Sequence, residues 1–167
     1  MIQARRGMQF LSQDEIGYQL GLIVPINKAH LFTKVRTGKA PVAGRGTQTS
    51  LEEFSISTYF KRNDIPLRIT THAITEIENL SEFISSNLRA DHDIIVCYNS
   101  RLLFKEGDLE HVSLVQEIDF KTKRATLIDP AIGTPKVRII KLSKLEEVLR
   151  QHAISKAGGF WVISRCS

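Results

Sequence analysis

Cysteine is scarce in this chain: two residues among 167, Cys97 inside the apolar run DIIVCY and Cys166 next to the last position. Two thiols cannot staple a disulfide framework, so the fold must rest on a core, and a reducing compartment is the expected setting. Long apolar runs are missing too, since none approaches the ~20 residues that a membrane-spanning helix needs. The opening MIQARRGMQF has no apolar stretch of the secretory kind, and a cytoplasmic location is expected. Neither C-x-x-C nor H-E-x-x-H occurs, and His72, His92, His111 and His152 are scattered, so no metal and no cofactor is expected.

Charge of one sign is not concentrated either. The 23 Lys and Arg are interleaved with 18 Asp and Glu, for a net charge of +5, which is the pattern of solvated faces rather than of a basic stripe with stacking aromatics. Residues 33–50, TKVRTGKAPVAGRGTQTS, mix Gly, Pro and Thr without periodicity and read as an exposed, mildly basic loop. It is like a phosphate loop only superficially, because Arg45 and Gly46 follow Gly44 and the G-x-x-x-x-G-K-[ST] pattern is absent. A nucleic-acid partner held through residues 34–45 is therefore not expected.

What is present suffices for one ordinary globular domain: 42% hydrophobic and 25% charged residues over this length can bury a core. In LSQDEIGYQLG, Ser12 and Glu15 form an S-x-x-E capping box ahead of Ile16 and Leu20, with Gly21 closing the helix. The preceding MIQARRG reads as the last turns of a helix closed by Gly7. SLEEFSISTYFKRND predicts an amphipathic helix capped by Ser50, and EIENLSEFISSNLRA predicts another, with Ile77, Leu80, Phe83, Ile84 and Leu88 recurring at helical spacing. Between them IPLRITTHAI reads as a short strand.

From residue 93 the period changes. DIIVCYNS, EHVSLVQEIDF, RATLIDPAI, KVRIIKL and GGFWVISRC are rich in Val, Ile, Leu and Phe and are separated by Gly, Asn, Asp and Lys, as strands of an antiparallel sheet. SKLEEVLRQHAISK interrupts them as a helix capped by Ser143. Around Trp161, core packing is expected on both faces of the closing strand. The fold class is thus α+β, with N-terminal helices packed on a C-terminal antiparallel sheet. A single domain is expected over 1–167, residues 1–92 forming a mainly helical half and 93–167 a sheet half with one helix.

One placement suggests chemistry. His111 heads one strand and Asp129, in Asp129-Pro130, ends the next, eighteen positions on. Neighbouring antiparallel strands can bring two such ends into hydrogen-bond reach, as a general base and its orienting carboxylate require. The competing reading is a satisfied strand histidine beside a strand-ending turn.

The wider order is a strand ending VCYN, a turn with Gly107, HVSLV, ATLIDPAIG, a further strand, a Ser-capped helix and a closing GFWVIS. It resembles the C-terminal half of the papain-like cysteine peptidase superfamily. Two branches are closest: the bacteriocin-processing peptidases that cut after a double-glycine leader, and phytochelatin synthase, whose Y-x-R-x-x-L-x-x-x-G stretch is similar to YNSRLLFKEG with the Arg one place later. The resemblance covers Asp93 to Ser164. It implies a papain-like fold in which His111 is the base that activates a cysteine and Asp129 orients it, acting on a peptide or protein substrate.

The family's nucleophilic cysteine opens a helix in the N-terminal half, where the helix N-terminus lowers the thiol's pKa, with a glutamine shortly before it. No cysteine precedes Cys97 here. If MIQARRG is the end of that helix, the resemblance puts the cysteine and glutamine upstream of Met1, and Gln3 is past the oxyanion position. Cys97, in an apolar run, is expected to be inert, Cys166 too close to a terminus to hold attack geometry, and Ser113 to lack the G-x-S-x-G elbow that would activate it. The expected function is thiol-dependent cleavage or transpeptidation of peptide bonds in the complete form, either truncated or without hydrolysis here. The alternative is a non-catalytic peptide-binding or regulatory module of the same fold.

Overall fold

A computed structural model describes residues 2–8, 11–39, 47–106, 110–130, 135–155 and 159–166. Residues 40–46 of the expected loop, and the expected turn glycines Gly107 and Gly158, lie outside them. The chain divides into two compact units, Met1–Arg68 and Ile69–Ser167.

The first unit is built of short elements. Helix α1 (Ile2–Arg5) is followed by α2 (Gln13–Gln19), whose N-cap is Ser12, its hydroxyl accepting from the Glu15 backbone N–H at 3.1 Å. After α2, Gly21 adopts φ +71, a left-handed conformation, and a Cβ there would lie 2.7 Å from the Phe54 ring; both facts call for glycine. Strands β1 (Ile23–Val24) and β2 (Arg36–Thr37) pair in parallel, so part of the expected loop is ordered as strand. The single helix expected from Ser50 is broken. Glu52–Phe54 form one 3₁₀ turn, Ser55 turns extended (ψ 154), and its hydroxyl caps α3 (Ile56–Arg62) by accepting from the Thr58 N–H at 3.1 Å. Serine competes for backbone donors and so favours a cap over a helix interior.

The second unit is an α+β assembly around a six-stranded sheet. Its strands are β3 (Leu67–Ala73, from Ile69 onward in this unit), β4 (Asp93–Asn99), β5 (Glu110–Asp119), β6 (Arg124–Ile128), β7 (Val137–Lys141) and β8 (Gly159–Arg165), in the order β3-β8-β4-β5-β6-β7. The pairs from β8 to β7 are antiparallel. One sheet strand thus comes from before residue 93. Helices α4 (Leu80–Arg89), α5 (Ser100–Phe104) and α6 (Leu142–Ser155) complete the unit.

Alternation along the strands turns Ile94, Val96, Tyr98, Val115, Ala125, Leu127, Ile140 and Phe160 into one core with Leu80 and Ile84 of α4, Leu103 of α5 and Leu145, Val148 and Leu149 of α6. Three boundaries differ from the sequence reading. Helix α4 starts only at Leu80, because the Asn79 side chain accepts from the Glu82 N–H and caps it there. Helix α5, not expected, starts where Asn99 accepts from the Leu102 N–H. Ser143 does not cap α6, since β7 runs directly into a helix that already includes Leu142, whose N–H donates to the Lys123 carbonyl.

Strands β3 and β8 approach closely at Gly159, where a Cβ would collide with the His72 carbonyl oxygen and lie 3.1 Å from the Ala73 Cα. Backbone cannot yield as a flexible side chain would. Gly159→Ala is therefore expected to destabilise the protein by about 3 kcal/mol, read as a lower urea midpoint with an unchanged slope.

Candidate active site

Strands β4 to β7 lie side by side, so residues on one face make a row across them. On the core face the row is Tyr98 of β4, His111 and Ser113 of β5, Asp129 just past β6, and Arg138 of β7. Tyr98 and His111 are register partners, as are Leu127 and Arg138. Asp129 follows Leu127 by two residues and so returns to the same face.

A β-bulge decides that His111 belongs to this row. Along β5, Val115 pairs with Leu127, but the register shifts before Glu117 pairs with Thr126. Val115 and Ile118 both pack on the core although they are three apart, which unbroken alternation forbids. The extra residue switches the inward positions from 118 to 115, 113 and 111. Without it, a strand anchored by Ile118 would turn His111 to the opposite face.

The row is joined by charge. The His111 Nε2–H donates to Asp129 Oδ1 at 2.8 Å, and the Arg138 Nε–H donates to Asp129 Oδ2 at 3.2 Å. The far end of the same guanidinium donates to both oxygens of Glu106, at 2.6 and 3.4 Å. Side-chain exposure falls from 52% at Glu106 to 8% at Arg138 and 1% at Asp129, then rises to 24% at His111; the chain enters the interior and emerges again. Phe104 of α5 lies 4.3 Å beneath the Arg138 guanidinium. Tyr98 packs edge-on against both Phe104 and the His111 imidazole, and its hydroxyl shares a 2.9 Å hydrogen bond with Ser113.

These contacts fix protonation. The hydrogen bonds from Arg138 hold the Glu106 carboxyl below its ordinary range, and Glu106, more than Asp129, raises Arg138 above its own. Burial pushes the Tyr98 phenol up, against the Ser113 hydrogen bond. Asp129, ion-paired with Arg138, is a carboxylate and can only accept. Neutral His111 must then carry its proton on Nε2 and leave the Nδ1 lone pair as its basic site. Among the described residues, none hydrogen-bonds Nδ1.

Among the described residues, neither cysteine nor Ser113 hydrogen-bonds this nitrogen. Cys97 neighbours Tyr98 on β4 and so faces the other side of the sheet, with its thiol pushed up to about 12 by burial first and by Glu110 second. Cys166 is exposed, one residue past the end of β8. Ser113 is 1% exposed and tied to Tyr98. Among the described residues no group of three His, Cys, Asp or Glu side chains could hold a metal.

The structure thus brings the two sequence candidates together and adds three residues that the sequence did not single out. Arg138 carried no clear signal, because Ile140 shares its face; the structure turns this face of VRIIK inward and leaves Val137 and Ile139 55% and 63% exposed. Glu106 and Tyr98 gave none. Arg101, the arginine of YNSRLLF, is exposed on α5. The sequence matches no model of a known protein family, and no curated protein matches it.

Two measurements follow from these environments. Iodoacetamide at pH 8 is expected to label the native protein once, at Cys166, and to reach Cys97 only in denaturant, as read by intact mass and peptide mapping. A lowered carboxyl pKa contributes stability above the ordinary value and loses it as pH falls through the folded value. The stability gap between wild type and Glu106→Gln should therefore be full at neutral pH and close below the ordinary glutamate value of 4.5, in urea midpoints taken across pH.

Proposed function

We propose that His111 and Asp129 are the base half of a papain-like, thiol-dependent acyl-transfer site that cleaves or transpeptidates peptide bonds. The observation that carries this reading is the asymmetry of the imidazole. Nε2 is held by a buried carboxylate, while no described residue hydrogen-bonds Nδ1 on a side chain 24% exposed. A base must be held on one side and accessible on the other.

In this mechanism Nδ1 takes the proton of a cysteine thiol as the sulfur attacks the substrate carbonyl. Asp129 stabilises the imidazolium that forms, and Nδ1 then returns the proton to the departing amine. Water or a second amine resolves the acyl-enzyme, with His111 again acting as the base. The reading requires a thiol within reach of Nδ1, and neither Cys97 nor Cys166 supplies it. Reduced, cytoplasmic surroundings suit such chemistry, and a peptide or protein is the partner.

That missing thiol favours a second reading, in which the domain holds a peptide without cutting it. The two separate in one experiment on protein from its native source. Under the first, peptide cleavage is abolished by thiol alkylation and falls about a thousandfold in His111→Ala. The fold of that variant survives, at a cost of about 1 kcal/mol, because Arg138 still compensates Asp129. Peptide affinity that persists after alkylation, with no cleavage before it, supports the second reading and sinks the first.

A further inference from the structure

Glu106 and Arg138 are related to the His111–Asp129 pair by geometry that simple anchoring does not require. Arg138 is ion-paired with Asp129, yet it divides its donors: Nε serves Asp129, and both terminal nitrogens serve Glu106. With neutral His111 the four side chains sum to one negative charge, and with the imidazolium they sum to zero. If the Glu106 charge is removed, the same states sum to zero and to one positive charge.

From this we infer that Glu106 and Arg138 are positioning residues that set the basicity of His111 in opposite directions. Arg138 fixes Oδ2, which aims Oδ1 at Nε2, and draws negative charge away from the imidazole. Glu106 offsets the guanidinium and restores that negative charge. Among the described residues the Tyr98 ring from β4 also packs against the imidazole, and Tyr98, whose phenol is raised by burial, stays neutral over the working range. The inference deepens the proposed base role and rests on it only for its catalytic consequence, since the titration of His111 can be read without any activity.

The test is an NMR titration of the His111 ring in the full chain, assigned with His111→Gln, for wild type, Glu106→Gln, Glu106→Asp and Arg138→Gln. Glu106→Gln should lower the midpoint by about half a pH unit, since Glu106 is half exposed and acts through the guanidinium. Arg138→Gln should raise it by about one unit, and Glu106→Asp should restore most of the wild-type value. Opposite signs are the signature. If both neutralising variants shift the midpoint the same way, Asp129 has merely lost its aim and the tuning is refuted; an unmoved midpoint in Glu106→Gln, an exposed position that folds, overturns it equally. Tuning without any thiol-dependent cleavage would retain this inference and reject the proposed function instead.

Discussion

A carboxylate 1% exposed is the constraint on which the rest of this site depends. Removing a charge from water costs several kcal/mol even after relaxation, and only a well-placed countercharge with hydrogen bonds offsets it. Asp129 has Arg138 on one oxygen and His111 on the other. Each partner comes from a strand next to β6, so the carboxylate ties the end of β6 to both neighbours at once. The Asp129 N–H also donates to the Lys136 carbonyl at 2.9 Å, which fixes the backbone that carries the charge.

Strand geometry then does what a loop could not. Tyr98, His111, Ser113 and Arg138 sit on pleated strands whose register is set by core partners such as Val96, Val115, Leu127 and Ile140, all buried beneath helices α4 and α6. A polar row on the same face as those residues inherits their rigidity. The bulge in β5 is the device that admits His111 to it. Phe104 adds a flat surface for the guanidinium, and α5 exists to present that ring because Asn99 starts a helix directly at the end of β4.

The strands and the His–Asp pair were legible in the sequence because both rest on local signals: runs of branched residues for the one, strand-end positions for the other. The remaining site residues rest on facing, which local pattern does not reveal. In VRIIK both sets of alternate positions hold apolar residues, so the sequence leaves the inward set open, and the buried arginine is legible only once Leu127 is seen opposite it. In HVSLVQEID the odd and even positions are again both partly apolar, which hides the bulge. Helix ends failed where two caps competed: Ser50 and Ser55 are equally good by type, and only the extended backbone at Ser55 separates them.

The pattern of burial bears on whether the site is a staple or a base. A staple needs only that Asp129 be neutralised, and Arg138 alone meets that need by charge. A histidine is not needed for such a staple, and its burial would be complete if packing were its role. Instead the imidazole emerges from the interior with Nε2 committed and Nδ1 turned free of the network. Glu106, at the exposed end, is half exposed, yet it holds the Arg138 guanidinium at 2.6 Å. An arrangement in which the buried members hold charge and the two more exposed members depend on it suits the proposed proton acceptor better than a core polar network.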